Sequence, residues 1–467
     1  MPPNSSGPEA APPTASAGSA RPAASAQPAG SARPAASARG RATRERIVAA
    51  AARCFAASGY RGVSLRDVAA EAGLSHPGVL RHFSSREQIL DAVVTRFELE
   101  NEHWLAARTD VPPHLLIALA EHNQSKPGYL ELFSALAGEA VSPEHPAHGR
   151  FATRYRELRE ESLRQPPATP WSRDDATRML AGWDGLQLAS LYNPGEVDVA
   201  AELAQQLTGR REQAGAEPEA GAGAEAGAGD GPTAAASAAD TRPASHATPA
   251  DEPQPSTPAT APSAGYAVGR ARQARIIADA TELFARRGFH DTSLREVAEA
   301  VGISKSALLH HFPTKDALLV SVIAERDRRT VPSSEELLAA SPAETIELMV
   351  RTARRSELDT PGLVEVYTVL TSEAASPGHP AHRFFAERSR RTIADVTVLF
   401  ELLAADGLLA PGRDPRHEGR WVPAMWDGLQ VQWGYDPSID VAALLADYFD
   451  AAVTFSVQAP PRVSPPA

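Results

Sequence analysis

Two short stretches concentrate the side chains able to do chemistry. "GLSHPGVLRHF" (73–83) carries Ser75, His76, Arg81 and His82, with Arg86 just beyond. "GISKSALLHHF" begins at Gly302, 229 residues after Gly73, and carries Ser304, Lys305, Ser306, His310 and His311, with Lys315 just beyond. Hydroxyl, imidazole, guanidinium and ammonium groups crowded on one short segment are hydrogen-bond donors. They suit phosphate oxygens and the acceptor-bearing edges of base pairs, so double-stranded DNA is the expected partner. Nowhere does the sequence pair a nucleophile with a base, cradle a phosphate in a glycine-rich loop or set two carboxylates together. An enzyme is not expected.

The elements that must hold these donors are legible from spacing. Ile47, Ala51 and Phe55 fall at i, i+4 and i+8, as do Ile276, Ala280 and Phe284, and predict a first amphipathic helix ending at Gly59 and Gly288. "SLRD" and "SLRE" are capping boxes: Ser64 with Asp67 and Ser293 with Glu296 start a short second helix. Leu65, Val68 and Ala69 form its apolar face, and Leu294, Val297 and Ala298 form that of the copy. Gly73 and Gly302 suit the left-handed stop, and Ser75 and Ser304 cap a third helix. Pro77 is tolerated there because first-turn amides lack intrahelical partners. Two short helices around a glycine turn, the second opening with donors, form a helix-turn-helix. Ser64 and Ser293 join the residues above as DNA-facing candidates.

The repeat extends well past this cassette. "EAVSPEHPAH" (139–148) returns as "EAASPGHPAH" (373–382), and "WDGLQ" stands at Trp183 and again at Trp426. The register offset is 229 at the helix-turn-helix, 234 at "HPAH" and 243 at "WDGLQ". A period above 200 residues is a duplicated module and not a solenoid. The growing offset places extra residues in the second copy near 400–414. Glu139, His145 and His148, with Glu373, His379 and His382, are of types that suit zinc. Proline inside each pair, with Ser-Pro flanking it, marks an interhelical loop with solvated histidines instead. No metal and no cofactor is expected.

Composition bounds the rest. The 467 residues include 40 prolines and 32 glycines, carry a net charge of −12, and contain one cysteine. Cys54 excludes an internal disulfide framework and is expected to be a small buried residue on the first helix. No apolar run reaches the ~18 residues of a membrane span, and no secretory signal opens the chain, so a cytoplasmic location is expected. The negative total does not exclude DNA, because local fields decide binding. Acidic residues gather between about 213 and 265, whereas the N-terminal tail carries scattered arginines.

At this point both halves resemble the TetR family of bacterial transcriptional repressors, over about 40–210 and 270–458. The resemblance implies an all-α fold of two tandem modules. Each would hold a three-helix DNA-binding domain and a helical domain for a small-molecule inducer and for dimerisation, the two modules being joined by a disordered linker. The expected division is a disordered tail (1–38), a DNA-binding domain (39–99, motif 64–83) and a regulatory domain (100–212). A disordered acidic linker (213–265), a second DNA-binding domain (268–328, motif 293–312), a second regulatory domain (329–458) and a tail (459–467) follow. The family often has tyrosine where Leu80 and Leu309 stand here, which shifts phosphate anchoring to Arg81, Arg86, His310 and Lys315. "DGLQLASLYNP" and "DGLQVQWGYDP" resemble the penultimate helix of the family, which pairs with a partner's, so the interface closes within one chain as a pseudo-dimer or between two chains as a homodimer. A flexible linker of about 55 residues spans roughly 40 Å, enough for the first arrangement. Trp183, Trp426 and Trp433 are expected to be packing residues. The function expected is a ligand-responsive repressor. The alternative is a constitutive DNA-binding or architectural protein with vestigial cavities, the first copy's cavity wall being the shorter.

Overall fold

Alanine, leucine, glutamate and arginine fill the stretches between the glycine and proline breaks, and these residues favour helix. The computed structural model describes residues 32–108, 114–164, 171–213, 264–287, 292–330, 340–359 and 361–461. In the first module the helices are α1 (Ala32–Ser58), α2 (Leu65–Glu71), α3 (His76–Leu80), α4 (Arg86–Ala106), α5 (His114–Ser125), α6 (Tyr129–Glu139), α7 (His148–Arg164), α8 (Arg173–Tyr192) and α9 (Val199–Gln213). In the second they are α10 (Ala264–Arg287), α11 (Leu294–Val301), α12 (Lys305–His311), α13 (Lys315–Thr330), α14 (Pro342–Asp359), α15 (Pro361–Glu373), α16 (His382–Ala405), α17 (Pro415–Tyr435) and α18 (Val441–Ala452). Each helix of the first module has its counterpart nine places on. Among the described residues the β structure is one isolated bridge, Leu409 to Val453. No helix there is long and apolar enough to cross a membrane.

The chain falls into two units at Arg46. In the first, the described part is the opening of α1, where the Thr43 hydroxyl donates to the Arg39 carbonyl at 2.9 Å. The second unit, from Ile47, holds both modules.

Several expected boundaries move. Helix α1 begins at Ala32, inside the expected tail, because "ARPAASAR" is alanine-rich and its proline sits in the first turn, where no amide partner is lost. Helix α4 runs through the boundary set at 99 to Ala106, so the first DNA-binding domain and the regulatory domain share one rigid rod. Helix α13 likewise passes 328. Near the C-terminus the Pro460 carbonyl accepts a 3.0 Å bond from Arg354 Nε, which ties down the start of the expected tail. Most of the acidic linker (214–263), Gly288 and the stretch before 32 lie outside the described residues.

Burial follows the predicted pattern in the DNA-binding heads. Ile47, Ala51 and Phe55 are fully buried with Val68, Ala69, Val79, Phe83, Ile89 and Val93. Ile276, Ala280 and Phe284 are buried with Val297, Ala298, Leu308 and Phe312. Cys54 is half-buried, not enclosed as expected, and burial pushes its thiol up.

Neither core is closed by its own module alone. The core of the first head and helices α6 and α7 includes Val369, Val431 and Tyr435 of the second module. The core of the second head includes Leu188 and Tyr192 of the first. By the internal repeat, Val431 answers to Leu188 and Tyr435 to Tyr192, so the exchange is reciprocal. The Tyr192 hydroxyl donates to the Thr371 carbonyl, and the Tyr435 hydroxyl donates to the Ala137 carbonyl. Thr371 and Ala137 are themselves counterparts.

What permits the exchange is a close crossing of α8 and α17. A Cβ built on Gly185 would stand 1.8 Å from the Ala424 carbonyl oxygen. One built on Gly428 would stand 1.9 Å from the Ala181 carbonyl oxygen. Gly185 and Gly428 are the glycines of the two "WDGLQ" copies. Backbone meets backbone at both points, and backbone cannot rotate away as a side chain can.

Gly185→Val or Gly428→Val is therefore expected to lower unfolding free energy on the order of 3 kcal/mol. Gly149→Ala, at a helical position with nothing within 4 Å, is expected to raise it by about 0.5–1 kcal/mol. Urea melts of the full chain measure both, and a harmless Gly185→Val would remove the crossing from the account.

Candidate DNA interface and ligand cavity

The heads are set by local caps. Ser64 Oγ accepts from the Asp67 amide at 3.3 Å while the Ser64 amide donates to Asp67 Oδ2 at 2.8 Å. The Ser64 hydroxyl, donating to Asp67 Oδ2, and then the Ser64 amide hold the Asp67 carboxyl below its usual range. Ser293 and Glu296 repeat the box at 3.2 and 2.7 Å. Gly73 (φ 63°) and Gly302 (φ 74°) take the left-handed conformation at the turn. Ser75 Oγ then caps α3 through the Gly78 amide at 3.2 Å, and Ser304 Oγ caps α12 through the Ala307 amide at 3.1 Å.

The predicted donors divide by what the fold asks of them. Ser75, Arg81, Ser304, Lys305, Ser306 and His310 are exposed on or beside the third helix of each head. His76, His82, His311 and Lys315 are half-buried there. Ser64 and Ser293 are exposed, but their hydroxyls serve the capping boxes, with Ser64 Oγ also donating to Asp67 at 2.6 Å. Ser304 and Ser306 share a 3.0 Å hydroxyl contact. His310 and His311 stand edge to face at 5.7 Å.

Arg86 is half-buried and is engaged inside the head. Its Nη1 donates to the Val63 carbonyl at 2.9 Å and to the Tyr60 carbonyl at 3.2 Å, and its guanidinium lies 4.2 Å from the Tyr60 ring centre. A cation spent on carbonyls of the turn before α2 positions the helix-turn-helix.

The same turn is held from the other side by Glu139, which the sequence marked only as a possible metal ligand. Glu139 is fully buried, and its Oε2 accepts from the Tyr60 amide at 2.9 Å and the Arg61 amide at 3.3 Å. Helix α6 of the regulatory domain is thereby pinned to the head. The "HPAH" histidines, expected to be solvated, are hydrogen-bonded within the corners, His145 buried and the other three half-buried. His145 is buried and its Nδ1 accepts from the Ala147 amide at 3.2 Å. His148 Nδ1 bonds the Ala140 carbonyl at 2.8 Å while its ring lies 5.3 Å from Tyr435. His379 and His382 repeat these contacts, His382 lying 5.4 Å from Tyr192. The motif closes the α6–α7 and α15–α16 corners and walls the exchanged tyrosines.

A cavity of about 500 Å³ opens within the second regulatory domain, between α14, α15, α16 and α17. Its fifth side is α8 of the first module, through Gly185, Leu188, Ala189 and Tyr192. Trp426 lines it as well as packing on the core, so it is more than the packing residue expected. Arg388 supplies a polar end. It donates to Asp327 at 2.7 Å and to the Tyr367 hydroxyl at 2.7 Å. Tyr367 and Asp327 hold this guanidinium protonated against a heavy burial cost.

In the first module a smaller space of about 40 Å³ lies between α4, α6 and α7. Phe97, Tyr129, Phe133 and Phe151 fill it as a chain of rings spaced 5.4–6.2 Å. Arg150 crosses its mouth to Glu98, Asp91 and Thr95. Behind the rings, Asp184 is enclosed, and burial pushes its carboxyl up to about 7 against the pull of Tyr155 and Arg154. The inequality runs in the direction of the helix lengths: α16 has 24 residues and α7 has 17.

Two three-helix heads with exposed donors, each rigidly joined to a helical domain, define a two-headed helix-turn-helix protein. The sequence model described as "Bacterial regulatory proteins, tetR family" matches residues 47–93 and 276–322. Two stretches of the chain, in tandem, are thus similar to the DNA-binding domain of that family. It is 40% identical over 55 residues to the HTH-type transcriptional regulator RutR of Escherichia coli K12, covering 12% of this chain and 26% of RutR. It is 34% identical over 62 residues to UidR of the same organism, covering 13% of this chain and 32% of UidR. The matched stretch thus spans a quarter to a third of those relatives. A solved structure of the TetR family transcriptional regulator PfmR from Thermus thermophilus aligns at 26% identity and TM-score 0.31, covering 38% of this chain and 95% of PfmR.

Two outcomes are expected here. Arg81→Ala keeps thermal stability and lowers the salt slope of DNA affinity by about one unit, whereas Arg86→Ala destabilises the first head. Equal melting temperatures for both variants would return Arg86 to the surface set. Asp184→Asn tests the buried carboxylate. Its folded-state value lies above the unfolded one, so the native chain binds the extra proton and the parent loses stability as pH rises. The advantage of Asp184→Asn should grow from pH ~4 to pH ~7, reaching a few kcal/mol, and then level off. Melts that differ by the same amount at pH 5 and pH 8 would contradict this.

Proposed function

We propose that this chain is a ligand-responsive transcriptional repressor acting in the cytoplasm, in which two unlike helix-turn-helix heads sit on one intramolecular pseudo-dimer. The observation that carries the reading is the reciprocal contact between α8 and α17, where each glycine faces the other module's alanine carbonyl. Such an isologous pairing is the normal interface of a homodimer. Here both halves belong to one chain, and the linker tether sets their effective concentration on the order of millimolar.

The effector enters at the 500 Å³ cavity, whose walls suit a largely apolar molecule with a polar group toward Arg388 and Tyr367. Because α8 forms one side of that cavity, an occupant touches both modules at once. Binding weakens the DNA complex only so far as the ligand prefers the head spacing that does not fit DNA; a hundredfold preference is worth about 2.7 kcal/mol. One effector per chain is expected, since the 500 Å³ cavity lies in the second module.

The heads present different donors at matched positions: His76 against Lys305, Pro77 against Ser306, and Arg81 against His310. Lysine and arginine pair with guanine O6 and N7 better than histidine does, and each such pair discriminates by ~1–3 kcal/mol. The operator is therefore expected to be non-palindromic, with half-sites about one helical turn apart or a multiple of it. Selection from random DNA, with the mass of the complex read by light scattering, should return unlike half-sites bound by one chain. A perfect palindrome bound by two chains would replace this reading with a four-headed homodimer.

A further inference from the structure

The third helix of each head carries one large apolar side chain that stays exposed. Leu80 is 41% exposed and Leu309 is 36% exposed, and they are counterparts on α3 and α12. Core packing from these helices is supplied by the neighbours Val79 and Leu308, both fully buried. The caps are supplied by Ser75 and Ser304. A single exposed leucine needs no explanation. Two at one position do, because the positions around them have changed: His76 to Lys305, Pro77 to Ser306, Gly78 to Ala307 and Arg81 to His310. The duplicated surface kept an apolar side chain amid substituted donors.

We propose that Leu80 and Leu309 read the 5-methyl group of a thymine, one in each half-site. This rests on the DNA-binding reading above. The occupant is assigned by the surroundings: exposed Arg81 and Ser75 flank Leu80, and exposed Lys305, Ser306 and His310 flank Leu309. That charge suits a polyanion, and the thymine methyl is the apolar feature that a base pair shows in the major groove. Leu80 stands one helical turn after His76, and Leu309 one turn after Lys305, on the same face of each helix. Four residues advance about 6 Å along a helix axis, close to two base-pair steps. The thymine therefore lies about two base pairs from the pair facing His76 or Lys305. Half-sites that differ where the donors read should agree at this thymine.

The test uses the full chain and the duplex obtained by selection from random DNA, resynthesised with deoxyuridine in place of single thymines. Deoxyuridine keeps the pairing and removes only the methyl group. For the parent chain, the substitution at the assigned position in either half-site should weaken binding about fourfold, the transfer value of one buried methyl-sized group. With Leu80→Ala the loss should vanish in the first head's half-site and persist in the second. With Leu309→Ala the pattern should invert. Losses undiminished in both alanine variants, or no loss for the parent at any thymine, would overturn the assignment while leaving DNA binding intact. Failure to select any duplex would instead remove the DNA-binding reading on which it stands. The parent measurement needs no variant to fold.

Discussion

The molecule depends on two helix backbones passing without a Cβ between them. Where α8 crosses α17, Gly185 lies against the Ala424 carbonyl and Gly428 against the Ala181 carbonyl. Only at that separation do Leu188 and Tyr192 reach the second module's core and Val431 and Tyr435 reach the first's. The exchanged tyrosines then anchor on carbonyls of α15 and α6, and the histidines of the α6–α7 and α15–α16 corners close around their rings. Those corners meet the heads: Glu139, at the end of α6, holds the amides of the turn that precedes α2. A chain of contacts thus runs from the glycine crossing to the first recognition helix, each link made of buried and hydrogen-bonded groups.

Duplication supplied two copies of this plan, and sequence change has given them different interiors. In the first module aromatic rings and the Arg150 ion pairs occupy the space between the helices. In the second, a longer α16 and the segment after it leave about 500 Å³ open, with α8 of the other module as one wall. The packed half is suited to be a fixed frame and the open half to respond. Arg388 sits where the two requirements meet, tied to Asp327 on α13 and to Tyr367 at the cavity. Helix α13 belongs to the second head, so a ligand that disturbs Arg388 has a direct mechanical route to it.

The heads were legible in the sequence because their determinants are local. Capping boxes at Ser64 and Ser293, left-handed glycines at 73 and 302, and apolar spacing at 47, 51 and 55 act within a few residues of themselves. The crossing was visible only as the repeated "WDGLQ", since a helical glycine does not reveal what lies opposite it. The internal contacts of Arg86 were hidden for a similar reason. An arginine after a recognition helix looks the same whether it faces phosphate or the carbonyls of Tyr60 and Val63, and the choice is made by a turn about 25 residues earlier. The "HPAH" histidines looked like solvated loop residues because proline marks a corner, whereas His145 packs on Tyr60 of the head and His148 and His382 pack on tyrosines contributed by the other module. Trp426 shows the same limit: packing and cavity lining differ only in whether a space lies beside the ring.

The central claim is that the reciprocal interface closes inside one chain. Sedimentation equilibrium of the DNA-free protein, from nanomolar to tens of micromolar, tests it most directly. One chain per particle is expected across that range, with the urea midpoint independent of protein concentration, because the effective concentration set by the tether exceeds any concentration used. Particles of two chains that dissociate on dilution, with a midpoint that falls alongside, would contradict it and place the α8–α17 crossing between chains.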